Sequence, residues 1–249
     1  MLFIDTNIYL EFFKSSQAAV KKLLPSIESL KNEIFVTEQI ANEVNRNKVK
    51  VASDSLRDFI NSYKLPTGRL PGHLEEDGED IVKTWNDNSS ELQSSIKDSH
   101  NSLTQVVEQL LLKIMKGEDG ASVTLNKVFE NSLLPTTEEF NKARIRKELG
   151  NPPGKPTDSL GDQVTWEQLL STYDGASPLW IISNDNDYSS KVNKTRFLNS
   201  YLFNEIKKQL QNEPTIYIFD TLAGGISHYS ENRPEPVEHL PAKEELEKI

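Results

Sequence analysis

The chain has 249 residues, 36% of them hydrophobic, a formal net charge of −10 and no cysteine. That length fits one large domain or one domain with a sizeable insertion. The missing cysteine excludes disulfides, thiolate zinc sites and cysteine nucleophiles. The acidic balance excludes a broad electropositive face, so an anionic substrate would have to be held locally, by metal ions or a few basic side chains.

In chain order, Leu2 to Ile4 form an apolar run that suits a buried parallel strand and ends at Asp5. No basic leader followed by a long apolar stretch precedes it, and no run approaches the length of a membrane span. The expectation is a soluble, cytoplasmic protein. Val20, Leu23, Leu24, Ile27 and Leu30 recur at helical spacing, with Pro25 kinking that helix or opening a second one. Ile34 to Val36 is the next strand candidate. Thr37 can cap a helix to about Lys50, with Ile40 and Val44 facing inward. This strand–helix alternation predicts a three-layer α/β fold.

The pattern breaks from about residue 52 to 157, which we read as an inserted helical subdomain. Within it, Leu92, Ile96, Leu103, Val106, Leu110 and Ile114 predict one long amphipathic helix. NPPGKP at 151–156 is a rigid loop, and Ser159 is placed to cap the helix that carries Asp162. Leu179 to Ile182 and Ile216 to Phe219 complete the strands. Residues 230–249, rich in Glu, Lys and Pro, read as a solvated tail beyond a domain at 1–229.

Asp5 and the pair Asp185 and Asp187 follow strands, at the edge where open α/β sheets bind ligands. Asp162 lies in the first turn of its helix, where the helix dipole favours an ionised carboxylate. Glu43 lies near the buried face of the Thr37 helix. Carboxylates brought together raise one another's pKa unless a cation lies between them. Mg²⁺ or Mn²⁺ would resolve that conflict, since hard cations take oxygen ligands and Mg²⁺ keeps several waters. Two such ions about 4 Å apart are the usual clamp for phosphoryl displacement.

Other candidates are weaker. Asp220 also ends a strand, but a turn or cap is the simpler reading. Glu167 lies well around the helix from Asp162, which favours an ion-pair role. The four histidines show no ligand spacing, and GNPPGK lacks the spacing and the Ser or Thr of a phosphate loop. Basic clusters at Arg46 to Lys50, Arg144 to Lys147 and Lys191 to Arg196 are solvated faces or local substrate contacts.

FIDTN at 3–7, the helix containing Glu43, GDQVTWEQLL at 161–170 and IISNDNDY at 181–188 resemble the motifs of PIN-domain nucleases. The stretch GNPPGKPTDSLGDQVTWEQLL is similar to a bacterial PIN-like subgroup with a long insertion before the third acid. The likeness spans roughly residues 1–50 and 150–225. It implies a Rossmann-like fold with a central parallel sheet, and Mg²⁺- or Mn²⁺-dependent cleavage of RNA. Carried over by position, the four acids are Asp5, Glu43, Asp162 and Asp185, with Asp187 a further metal contact through water. Asn7 and Ser183 match small polar positions beside the metals, and Lys155 and Arg46 are candidate substrate contacts. Members of this type often serve in growth control or phage defence, which leaves room for a regulatory protein partner. Two rival readings remain: a structure-specific DNA nuclease on the same acids, and a non-catalytic module holding one metal. A haloacid-dehalogenase phosphatase would need a second Asp where Asn7 stands.

Overall fold

Four short apolar runs pair in parallel to make the central sheet, in the order β2 (Ile34–Phe35), β1 (Leu2–Ile4), β3 (Leu179–Ile182), β6 (Ile216–Phe219). The computed structural model describes residues 1–62, 80–154, 159–193, 195–233 and 235–246. Register aligns Leu2 with both Ile34 and Trp180, and Leu179 with Ile216. Every residue of β1 and β3 is buried, which is why both read as unbroken apolar runs rather than alternating ones. Burying each such Leu, Ile or Phe contributes about 1.5–3 kcal/mol.

The chain leaves β1 for β2 on one side and later enters β3 on the other. The strand order therefore reverses between β1 and β3. That reversal opens a crevice at the carboxyl ends of these two strands, the usual ligand position in open α/β sheets.

A short helix, α1 (Thr6–Tyr9), follows β1, and two 3-10 stretches lead to α2 (Leu24–Ser29), where Pro25 occupies the first turn. Proline is tolerated there because its missing N–H has no helical partner anyway. Thr37 caps α3 (Glu38–Ser62) by accepting from the Ile40 amide at 3.2 Å. Helix α3 runs well past Lys50, because the apolar spacing continues at Val51 and Ala52 and no breaker intervenes. It packs against α4 (Asp80–Lys116), the long amphipathic helix the spacing predicts.

The inserted region is not wholly separate from the core. Ala121, Leu125, Val128 and Phe129 of α5 (Gly120–Phe129) are buried in the same cluster as the sheet. Leu133 donates its N–H to the Val36 carbonyl and accepts from the Glu38 amide, both at 2.9 Å, so it extends the edge beside β2. Helix α6 (Thr137–Glu148) then packs along α7 (Gly161–Thr172).

Beyond β3, an antiparallel hairpin of β4 (Ser189–Val192) and β5 (Thr195–Leu198) stands apart from the main sheet. Helix α8 (Ser200–Leu210) leads to β6, and α9 (Leu222–Glu231) packs on β3 and β6. The segment read as a solvated tail is instead partly built into the fold. Val237 is buried, as is Leu246 of α10 (Lys243–Leu246), and Ser26 donates to the His239 carbonyl at 3.0 Å. A few apolar residues among many charges, Val237, Leu240 and Leu246, pack against the core, a signal that charge-rich composition conceals. No described helix is long and apolar enough to cross a membrane.

Candidate metal centre

Asp5 is the fixed point of the site. It follows β1 directly and caps α1, its Oδ1 accepting from the Thr6 amide at 2.8 Å. Its Oδ2 accepts from Asn7 Nδ2 at 2.8 Å and from Ser183 Oγ at 2.6 Å. The Asp5 amide donates to the Ile182 carbonyl at 2.9 Å, which locks the ends of β1 and β3 together.

The same hydrogen bonds run on into the second acidic segment. Ser183 Oγ accepts from the Asp185 amide at 3.1 Å, and Asp185 Oδ1 accepts from the Asp187 amide at 2.9 Å. Asp side chains readily take such bonds two residues on, so the turn orients itself. Tyr188 then anchors the segment. Its ring is buried 5.7 Å from Phe3 and 6.1 Å from Trp166, bridging β1 and α7. Burial, followed by the charges of Asp5, Asp162, Asp185 and Glu43, pushes its phenol pKa well up.

Two helices bring the remaining acids. Glu43 on α3 accepts from Thr6 Oγ1 at 3.4 Å. Asp162 sits in the first turn of α7, whose cap position is Leu160. Ser159 therefore does not cap this helix; the helix starts one residue later than a Ser159 cap requires, and Leu160 supplies no side-chain bond. Helices α3 and α7 approach closely at Gly161, where a Cβ would collide with the Gln39 amide. The buried hydroxyls of Thr37 and Thr165 meet there too, at 3.3 Å. Gly154, with φ at +87°, lies against Gln163 and brings the 151–154 loop within van der Waals range of Asp162 Oδ2, 3.4 Å from the Cβ it lacks. Only glycine tolerates both that backbone and that approach.

Electrostatics shows how near the carboxylates stand. Burial, followed by the charges of Asp5, Glu43, Asp185 and Asp187, raises Asp162 to about 7. Asp5 is raised to about 6, by burial first, against the bonds from Ser183 and Thr6 and with a smaller push from the charges of Asp185 and Glu43. Four acids from β1, α3 and the segment after β3 thus lie within electrostatic reach of Asp162 in the first turn of α7.

Among the described residues no group of three or more His, Cys, Asp or Glu side chains is drawn close enough together to hold a metal ion. The donor set nevertheless fits a hard divalent cation. It is all oxygen, it is over-charged, and the buried Asn7 Oδ1 beside Asp5 has no hydrogen-bond partner. An ion that retains several waters does not need a closed cage.

The other predicted residues fall as follows. Asn7 and Ser183 touch Asp5. Arg46 is exposed, one helical turn beyond Glu43. Lys155 lies outside the described residues. Arg146, read as part of a basic surface cluster, is buried. It donates to Glu167 Oε1 at 2.8 Å, to the Pro152 carbonyl at 2.7 Å, and through both terminal nitrogens to Glu205 at 2.7 and 2.9 Å. Trp166 Nε1 also donates to Glu205, at 3.0 Å. This knot ties α6, α7, α8 and the 151–154 loop together behind Asp162. Its only sequence trace was the awkward angle of Glu167 from Asp162, which matches an ion-pair role. Asp220 is engaged by Lys191 and Arg196, which draw its pKa down, so it serves as an ion-pair partner at the hairpin root.

A family model for the PIN domain, a family whose members are generally metal-dependent nucleases, matches residues 2–188. That span contains Asp5, Glu43, Asp162, Asp185 and Asp187. No curated protein and no solved structure gives a significant match. With three quarters of its length under that match and a parallel sheet carrying acids at its switch point, the chain belongs to the PIN domain family.

Proposed function

We propose that this protein is an endoribonuclease that depends on Mg²⁺ or Mn²⁺. The observation that carries the reading is that Asp5, Glu43, Asp185 and Asp187 lie within electrostatic reach of Asp162, with Asp5 and Asp162 shifted upward. Asp5, Asp162 and Asp185 would hold the cation directly, Asp187 through water, and Glu43 from the α3 side. Bound there, the cation supplies activation of water and neutralisation of charge on the leaving oxygen.

The chain's own residues do the rest. Asn7, Thr6 and Ser183 fix the orientation of Asp5, so that it meets a cation without rearranging. Preorganised charge of this kind is commonly the largest contribution to such catalysis. Water attacks the backbone phosphorus and the P–O3′ bond breaks, leaving a 5′-phosphate and a 3′-hydroxyl. Arg46, exposed one turn beyond Glu43, would meet a flanking phosphate.

End-labelled RNA incubated with the protein and Mn²⁺ tests the reading, alongside single-stranded DNA and flapped duplex. Cleavage of RNA should be strong in the native chain and absent in both Asp5→Asn and Asp162→Asn. Equal cleavage by all three proteins would remove the mechanism, and preference for flapped DNA would change the substrate.

A further inference from the structure

Beside Glu43 a cleft of about 400 Å³ opens between α3, the start of α7 and α6. That volume falls at the lower end of the range for small-ligand sites. One wall is the α3 face bearing Asn42, Glu43, Arg46 and Asn47, whose spacing puts them on adjacent turns. The opposite wall is Phe140, 41% exposed, with the Arg144 guanidinium 5.5 Å from its ring centre.

This aromatic wall is rigidly held. Thr136 and Glu139 form a reciprocal capping box, the Thr136 hydroxyl accepting from the Glu139 amide at 3.2 Å and the Glu139 carboxylate accepting from the Thr136 amide at 2.7 Å. Phe140 follows at once, its amide donating to the Thr136 carbonyl at 3.0 Å. Leu133, just before this helix, is hydrogen-bonded to the β2–α3 junction. Both walls of the cleft therefore belong to one frame.

We propose that this cleft receives one unpaired nucleobase of the substrate strand, stacked on Phe140 and read by the carboxamides of Asn42 and Asn47. The proposal rests on the nuclease reading and specifies its substrate as single-stranded at this position. Two facts favour a base over a phosphate inside the cleft. Glu38 and Glu43 both line it, and they repel an anion. Asparagine donates and accepts at once, which suits the edge of a base. Arg46 also lines the cleft and would meet a phosphate of the same strand. Duplex cannot enter, because its bases are stacked and paired.

Anisotropy of a fluorescein-labelled single-stranded RNA 12-mer tests this on the full chain carrying Asp5→Asn, which prevents cutting. Phe140→Ala and Phe140→Leu should each weaken binding about 10-fold, within the roughly 5- to 150-fold range of one stacked base. Phe140→Trp should retain affinity, which a merely structural role for Phe140 would not require. Pre-annealed duplex should bind all four proteins equally. In the cleaving chain, Phe140→Ala should raise KM and leave kcat nearly unchanged. Unchanged single-strand affinity and KM in Phe140→Ala, with cleavage intact, would overturn the base site alone. Equal weakening on duplex would also overturn it. A native chain that neither binds nor cuts RNA would overturn the nuclease reading and the base site with it.

Discussion

Asp162 concentrates the tension in this protein. An acid held near 7 in the folded chain, against about 3.9 when unfolded, binds its proton more tightly in the native state. A raised carboxyl of this kind contributes stability that is fully present below the unfolded value and is lost as pH rises through the folded one. Without a divalent cation, ionisation of Asp162 and Asp5 therefore weakens the fold between about pH 4 and 7. Asp162→Asn removes that penalty while removing the proposed activity. Its melting temperature without metal should exceed that of the native chain at pH 8, by roughly 2–4 °C per kcal/mol relieved, and the gap should close toward pH 4.5. Calorimetry across that range checks this, and a variant that melts lower at pH 8 would contradict it. The residues around this tension were readable to different degrees. Asp5 and Asp185 declared themselves by following apolar runs. Asp162 declared itself by the first turn of a helix, even though Ser159 does not cap it. The hydrogen bonds that link Asp5, Ser183, Asp185 and Asp187 depend on register between β1 and β3, some 180 residues apart, and no local pattern encodes that.

Among the elements, α6, α7 and α8 meet at a buried charge. Arg146 carries one positive charge between Glu167 and Glu205, and it is 5% exposed. Removing one partner from a buried ionic network costs about 3–5 kcal/mol, because the remaining charges stay desolvated and unpaired. Arg146→Met should lower stability by that amount in urea unfolding, and should weaken cleavage further by loosening α7 beneath Asp162. A loss under 1 kcal/mol would show that the knot opens to water and that α7 is held by apolar packing alone. Sequence placed Arg146 among neighbouring Arg144 and Lys147 as an exposed patch, since a basic run on a polar helix normally faces solvent. Only the folded neighbours Glu167, Trp166 and Glu205, from two later helices, reverse that reading. The hairpin β4–β5 was missed for a related reason. Its strands expose Lys191, Val192 and Phe197, and its turn at Asn193, φ +57°, lacks the usual glycine.

For the molecule as a whole, the sheet order 2-1-3-6 explains why acids so far apart in sequence meet. The strand order reverses between β1 and β3, and α3 and α7, packed on each other, bring Glu43 and Asp162 toward those strand ends. The strands were readable because burial on both faces erases alternation and leaves plain apolar runs. The inserted region was readable as helical, but its integration through α5 and Leu133 was not, because those contacts are made with α2 and the β2–α3 junction far away in the chain. The tail was misread because a few docking residues carry little weight against its charge. The proposed function depends most directly on a cation bound between β1, α7 and the segment after β3. Anomalous diffraction from crystals of the full chain soaked in Mn²⁺ would locate the ion. Density bounded by Asp5, Asp162 and Asp185, with Asp187 reached through water, is the expected result. Manganese bound elsewhere, with Asp5 still held only by Thr6, Asn7 and Ser183, would contradict it.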